Sequence, residues 1–68
     1  MRDVEIQGET IRLGQLMKLA GMVGSGGEAR ALVEGGRVTV NGDIERRRGR
    51  QLHRGDVIAV EGETVAVA

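Results

Sequence analysis

The sequence has no cysteine, no phenylalanine, tyrosine or tryptophan, and only one histidine among 68 residues. Without cysteine, the chain can form neither a disulfide nor the Cys/His zinc sites that stabilise many small domains. Its uninterrupted apolar stretches are only a few residues long, which is too short for a membrane-spanning helix. The fold must therefore depend on the packing of one modest core, and we predict a single domain over residues 1–68.

The missing aromatic residues also restrict the ligand. Modules that read single-stranded nucleic acid stack its bases on aromatic side chains, and this chain offers none. The sequence shows no nucleophile–base pair, carboxylate dyad or metal-binding cluster, so we expect no enzymatic activity, no cofactor and no small-molecule substrate. The first residues lack the apolar run of a signal peptide, and we therefore expect a cytoplasmic protein without a membrane partner.

Charge is balanced in total but unevenly distributed. The chain has ten basic and ten acidic residues. Residues 12–54 hold nine of the basic and four of the acidic residues, a net charge of +5, whereas residues 1–11 carry −2 and residues 55–68 carry −3. We therefore expect the basic side chains between Arg12 and Arg50 to form one continuous face, with the acidic residues of both ends lying away from it.

Two helices are predicted in the first half of the chain. Apolar residues at positions 13, 16, 17 and 20 have the spacing of one helix face, which predicts a helix over Leu13–Ala20 that Gly21 ends. Ser25 and Glu28 have the spacing of a capping box, in which the serine hydroxyl accepts from the N–H of Glu28 and the glutamate reaches back to the N–H of Ser25. A second helix therefore starts here and ends at the glycine pair 35–36, and the short link between the two predicts a helical hairpin.

Strand patterns occupy the N-terminal segment and the second half. Val4 and Ile6 alternate with polar residues, which is typical of a half-buried strand, either alone or in a short hairpin with residues 10–11. Val38 and Val40 precede an Asn-Gly pair at 41–42, the sequence of a type I′ hairpin turn, and further strands are predicted over 57–60 and 64–67. The predicted fold is α+β, with a two-helix hairpin packed on a small, mainly antiparallel β-sheet.

Five blocks of sequence follow one another in an informative order. They are Ile11-Arg12-Leu13, Ala20-Gly21-Met22-Val23, the segment 25–33, the segment 36–42 and the segment 55–60. In this order they resemble the αL RNA-binding motif of ribosomal small-subunit protein four, most closely its stand-alone bacterial version of the YbcJ type. The resemblance covers about residues 11–60. It implies a non-catalytic domain without a cofactor that binds structured RNA with the helical hairpin and the following β-hairpin.

Two positions depart from the larger members of that family. Those members often carry Asp directly after the Arg-Leu pair and Arg directly after the serine, whereas this chain has Gly14 and Gly26 there. One phosphate-binding arginine of the usual set is therefore missing. The same pair of glycines is typical of the stand-alone version.

The densest group of candidate binding residues is Arg46, Arg47, Arg48 and Arg50. Guanidinium groups form bidentate hydrogen bonds to phosphate oxygens and keep their charge, so four of them within five residues suit a polyanion. The alternative is a solvated loop that only aids solubility. We favour the binding role because adjacent like charges repel one another.

Further candidates lie around the predicted helices. Ser25, Gly26 and Gly27 form an open helix start whose free N–H groups suit an anion, although the same residues can form a purely structural turn. Asn41 is also a candidate, but its first role is in the turn. Four basic residues join the site if the fold brings them to one face: Arg12, Lys18, Arg30 and Arg37.

These features predict structured or double-stranded RNA as the partner, recognised by its shape and phosphate backbone with little sequence preference. Ribosomal RNA and transfer RNA are two such classes. The alternative is a protein-interaction module that uses the same basic face to dock an acidic protein or a ribosomal protein. Both functions need a cationic surface, so the salt dependence of binding, rather than the sequence, separates them.

Overall fold

Seven short strands and two helices make up the computed structural model, which describes residues 1–68. In chain order they are β1 (Arg2–Val4), β2 (Thr10–Arg12), α1 (Leu13–Leu19), α2 (Gly26–Glu34), β3 (Val38–Val40), β4 (Asp43–Ile44), β5 (Gln51–His53), β6 (Val57–Val60) and β7 (Glu63–Val67). Five strands form one sheet in the order β1-β7-β6-β3-β4, and β2 pairs separately with β5. Every pair is antiparallel except β1 with β7. The predicted α+β fold is confirmed.

The N-terminal strand does not form a local hairpin. Instead, β1 runs parallel to β7, with Val4 opposite Val67, and β2 pairs with β5, with Ile11 opposite Leu52. In these registers Val4, Val67 and Leu52 are all buried. The long-range pairings are favoured because they place apolar side chains of the paired strands in the common core. A local hairpin of β1 with β2 would not bring these side chains together with β5 and β7.

Helix α1 is held by one apolar face. Leu13, Leu16 and Met17 are fully buried, as their helical spacing predicts. The helix ends one residue earlier than predicted: Ala20 is the C-cap, and Gly21, with a φ of 73°, turns the chain away in the left-handed conformation.

The start of helix α2 confirms one half of the predicted capping box. Ser25 Oγ accepts a hydrogen bond from the N–H of Glu28 at 3.1 Å. The prediction for the glutamate is wrong, because its carboxylate accepts from the N–H of Gly24 at 2.7 Å rather than from Ser25. The side chain thus reaches one residue further back and still satisfies a backbone donor that precedes the helix.

The turn between β3 and β4 has the predicted geometry. Asn41 and Gly42 have φ values of 53° and 89°, as a type I′ turn requires. The Asn41 side chain also links this turn to the start of β6: its Nδ2 donates to Asp56 at 3.0 Å, and its Oδ1 accepts from the N–H of Val57 at 2.8 Å. Both ends of the amide are therefore engaged within the protein.

Both helices and the five-stranded sheet contribute to one core of 16 buried apolar residues. Alternate residues of the strands, among them Val38, Val40, Ile58 and Val65, point to its inner side. Full burial of an aliphatic side chain contributes about 1.5–3 kcal/mol, so these contacts supply the stability that disulfides provide in other small domains. Neither helix is long and apolar enough to cross a membrane.

Candidate nucleic-acid interface

The four arginines of residues 46–50 do not form one cluster, because Glu45 binds two of them. This residue is only 6% exposed. Its Oε2 accepts from the backbone N–H and from Nε of Arg47, both at 3.0 Å, and its Oε1 accepts from Nη2 of Arg47 at 3.1 Å and from Nη1 of Arg50 at 3.0 Å. The guanidinium of Arg47 is thus held by two parallel bonds, the strongest arrangement for this pair of groups.

The ionisation of Glu45 follows from these contacts. Hydrogen bonding by the Arg47 side chain lowers the pKa of the Glu45 carboxyl from 4.5 to about 2, although burial acts in the opposite direction. The same hydrogen bonds raise the pKa of the Arg47 guanidinium. Near neutral pH both groups are therefore charged, and the carboxylate keeps its two arginines.

Arg48 lies between these two arginines in sequence but packs against helix α1. Its carbonyl accepts from the N–H of Gly14 at 3.0 Å. A β-carbon on residue 14 would lie 2.6 Å from Cγ of Arg48, so only glycine lets the aliphatic part of this arginine come so close to the helix. Gly14, the departure from the larger family members, therefore makes room for Arg48.

Arg48 borders an open cavity of about 430 Å³, which we call the cationic cavity. Three basic side chains and no acidic one line it, and the full set of lining residues is Arg12, Gly14, Gln15, Lys18, Gly26, Ala29, Arg48 and Gly49. Arg12 is oriented by its Nη1, which donates to the carbonyl of Gly49 at 3.1 Å. Because none of the three basic side chains is paired with a carboxylate, all three charges are available to an anion.

Helix α2 begins at the edge of the cationic cavity. Ser25 engages the N–H of Glu28 with its side chain and the N–H of Ala29 with its carbonyl, whereas the N–H groups of Gly26 and Gly27 have no partner. A β-carbon on Gly26 would have no atom within 4 Å other than those of the two adjacent residues and the backbone of α2. The open helix end adds two donors and the positive end of the helix dipole to the same side of the cavity.

The structure brings four of the predicted site residues together in the cationic cavity: Arg12, Lys18, Gly26 and Arg48. Arg30 instead pairs with Glu34 at 2.9 Å, and Arg37 lies 3.9 Å from Glu61. The expectation that acidic residues of both ends lie away from the basic ones is therefore wrong at Arg37. The reason is strand register: Val38 pairs with Val60, which places Arg37 opposite Glu61.

Other predicted residues have structural contacts. Ser25 caps α2, and Asn41 uses its amide within the protein. Nη1 of Arg46 donates to the carbonyl of Glu34 at 3.3 Å, which places its charge at the C-terminal end of α2, where the helix dipole favours a cation.

Gln15 and Gly49 also line the cavity, although neither was among the predicted site residues. A signal for Gln15 was present, because it lies three residues before Lys18, a spacing that places two residues on one side of a helix. Gly49 had no such signal, since its place in the cavity depends on the path of the chain between β4 and β5.

The fold agrees with that of known proteins. A family model for the S4 domain matches residues 4–68. This protein belongs to the S4 domain family. It is similar to the probable ribosome maturation protein RlbA of Bacillus subtilis (strain 168), with 44% identity over 59 residues, which is 87% of this chain and 83% of that protein.

Two solved structures resemble this fold. The solution structure of YbcJ from E. coli, described as revealing an αL motif involved in RNA binding, has a TM-score of 0.77 and 28% identity, and the match covers all of this chain and 87% of that one. The likeness to the αL motif predicted from the sequence is thereby confirmed. The 30S ribosomal protein S4e from Thermoplasma acidophilum has a TM-score of 0.64 at 22% identity over 85% of this chain and 31% of that one, and this likeness concerns the fold alone.

Proposed function

We propose that this protein binds structured RNA by its phosphate backbone, that the cationic cavity holds the phosphates, and that no catalytic step is involved. The observation that carries the proposal is the convergence of Arg12, Lys18 and Arg48 on one cavity without a carboxylate. Guanidinium groups bind phosphate oxygens in a planar, bidentate manner, and lysine adds a compact charge. The open N-terminus of α2 supplements these side chains with backbone donors.

The relatives support RNA as the polyanion. YbcJ is described as having an αL motif involved in RNA binding, and the Bacillus relative is a probable ribosome maturation protein. Transferred to this chain, these descriptions favour ribosomal RNA over transfer RNA as the partner, with ribosome maturation in the bacterial cytoplasm as the setting.

The composition supports folded rather than single-stranded RNA. The chain has no aromatic side chain on which an unpaired base could stack. Phosphate contacts position a protein on its nucleic acid but carry no sequence information directly. We therefore propose recognition by shape and backbone, with little preference among sequences of similar fold.

A salt titration tests this proposal. Fluorescence anisotropy would measure binding to two unrelated ribosomal RNA hairpins and to a single strand of matched length over a range of salt concentrations. Each phosphate contact adds about 0.7 to 0.9 to the slope of log affinity against log salt, so three cations predict a slope of about two to three. We expect similar affinities for both hairpins and weaker binding of the single strand. A slope near zero, equal binding of the single strand, or a preference for an acidic ribosomal protein over RNA would contradict the proposal.

A further inference from the structure

We propose that Glu45 is a positioning residue for RNA binding, whose buried carboxylate fixes residues 46–50 so that Arg48 faces the cationic cavity. This inference rests on the function proposed above. It assigns to an acidic residue a favourable effect on binding a polyanion, which is opposite to the effect of its charge alone.

Glu45 is itself held in place by the sheet. It is the only buried residue with a charged side chain. Its N–H donates to the carbonyl of Val38 at 3.0 Å, which attaches it to the sheet directly after β4. The carboxylate is therefore a rigid anchor, and every hydrogen bond it accepts comes from Arg47 or Arg50.

The residues between the two anchored arginines are fixed as well. The N–H of Arg50 donates to the carbonyl of Arg47 at 3.2 Å, which closes a tight turn around Arg48 and Gly49. The carbonyls of Arg48 and Arg50 are attached to α1 by the N–H groups of Gly14 and Leu13 at 3.0 and 2.9 Å. With Arg47 and Arg50 directed to Glu45, Arg48 extends in the other direction, across Gly14 and into the cavity.

An Arg48 side chain that is ordered in advance binds a phosphate at a lower entropic cost. A free arginine loses much of its side-chain entropy when it binds a phosphate, and a side chain that is already ordered avoids most of this cost. Glu45 thus neutralises two nearby cations, Arg47 and Arg50, and at the same time fixes the direction of a third, Arg48. The two effects oppose each other, so the sign of the change in affinity on removing the carboxylate distinguishes them.

The test is Glu45→Gln with Glu34→Gln as its matched control. Both substitutions remove a glutamate that pairs with arginine, but Glu34 is exposed and does not line the cavity. If charge alone matters, both variants bind a ribosomal RNA hairpin as well as or better than the wild type. We expect instead that Glu45→Gln binds roughly threefold to tenfold more weakly, as for coupled neighbouring groups, while Glu34→Gln does not. The salt slope of Glu45→Gln should not rise, although the substitution leaves Arg47 and Arg50 without their carboxylate. Unchanged or tighter binding by Glu45→Gln would overturn the inference.

Arg48→Ala separates this inference from the proposed function. Unchanged RNA binding by Arg48→Ala contradicts the proposed function. Weaker binding by Arg48→Ala together with unchanged binding by Glu45→Gln contradicts only the role of Glu45. In the Arg48→Ala background, Glu45→Gln should cause no further loss, because the side chain that Glu45 positions is no longer there. A full additional loss would mean that Glu45 acts by another route and would overturn the inference.

A structural measurement and a second pair of variants distinguish a loss of positioning from a loss of folding. Amide hydrogen exchange at Gly14, whose N–H donates to the carbonyl of Arg48, should accelerate in Glu45→Gln while the amides of β6 stay protected. Should Glu45→Gln not fold, Arg47→Ala and Arg30→Ala replace it, because each removes one exposed arginine that pairs with glutamate. A larger loss of RNA affinity for Arg47→Ala supports the positioning role, and equal losses overturn it.

Discussion

Two depressions of the surface border helix α2 and have opposite charge. The cationic cavity has three basic residues and no acidic one. The second depression, of about 370 Å³, has three glutamates and no basic residue, and we call it the acidic groove; it is lined by Met22, Glu28, Ala31, Leu32, Val60, Glu61 and Glu63. At about 100° per residue, the α2 residues of the cavity and those of the groove lie on different sides of the helix. A chain of zero net charge can therefore present a site for a polyanion, because folding separates its charges.

The two regions also differ in how far their charges are compensated. Around the acidic groove, Glu63 pairs with Arg2 at 3.2 Å and Glu61 lies 3.9 Å from Arg37. No basic residue of the cationic cavity has a carboxylate within the same distance. The negative side is thus partly neutralised from within the protein, whereas the positive side is not.

The largest difference in RNA affinity should come from removing the charges of the cationic cavity rather than those of the acidic groove. We expect the combined change of Arg12, Lys18 and Arg48 to Ala to weaken binding of a ribosomal RNA hairpin by about 100-fold, since a hydrogen bond exposed to water contributes about 1 kcal/mol net. The salt slope should fall by about two to three. The control is the change of all three glutamates of the acidic groove to Gln, which should leave affinity unchanged or slightly raised. Equal losses in the two triple variants would show that binding does not depend on the cavity.

Adding a single methyl group to Gly14 should test how tightly Arg48 packs against α1. In Gly14→Ala the new β-carbon would lie 2.6 Å from Cγ of Arg48, so this arginine must move away from α1. We expect RNA affinity to fall roughly fivefold to tenfold, as for the loss of one ordered contact. The melting temperature should change little, because the helix preference of alanine offsets part of the cost of moving Arg48. Gly27→Ala is the control, since its β-carbon would meet nothing closer than Ser25 Oγ at 4.0 Å. The same change in affinity for both variants would contradict the packing of Arg48 on Gly14.

Acid should reveal the contribution of Glu45 to stability. The pKa of this carboxyl is about 2 in the folded protein against an ordinary value of 4.5, so its stabilising effect is complete above about pH 4.5 and is lost as the pH falls towards 2. Urea unfolding of wild type and Glu45→Gln between about pH 6 and pH 2.5 should give a difference in the free energy of unfolding that shrinks as the pH falls. Burial acts to raise the pKa of Asp56, but hydrogen bonds from the His53 backbone and the Asn41 amide outweigh that effect and lower it. Because this shift is present in both proteins, it does not contribute to the difference between them. A difference that does not vary with pH would contradict the assigned pKa of Glu45.

Ser25 should have the smallest effect on binding, although it adjoins the cavity. Ser25→Ala removes the cap of α2 and should cost about 0.5–2 kcal/mol in the free energy of unfolding. RNA affinity of the folded variant should change by less than about twofold, because Ser25 acts on the helix rather than on the ligand. Ser25→Thr, which keeps the hydroxyl, is the control for both measurements. A collapse of RNA affinity without a change in melting temperature would instead make Ser25 a binding residue.

The features that the sequence predicted well are those decided by neighbouring residues. The type I′ turn at Asn41 and Gly42 requires two positive φ values, and the cap at Ser25 requires a donor three residues away, so both can be recognised locally. The parallel pairing of β1 with β7 and the separate pairing of β2 with β5 could not be recognised in this way. They join residues about 40 to 60 positions apart, and many registers satisfy the same alternation of apolar residues.

The candidate site was predicted as a set of charges rather than as an arrangement. Composition and the run of arginines indicated a polyanion, but four adjacent arginines look equivalent in a sequence. Their separation depends on Glu45, whose burial follows from the path of the chain after β4, and on Gly14, whose missing side chain matters only because Arg48 folds onto it. Three-dimensional contacts therefore decide which arginines remain available.

Backbone amides followed during an RNA titration test directly whether the cationic cavity binds RNA. Gly14, Gly26 and Gly49 line the cationic cavity, whereas Gly62 lies between two glutamates of the acidic groove. In ¹H–¹⁵N correlation spectra recorded as a ribosomal RNA hairpin is added, we expect the largest shifts at the three cavity glycines and little change at Gly62. Shifts concentrated at Gly62 and the neighbouring groove, or of equal size at all four glycines, would contradict this expectation.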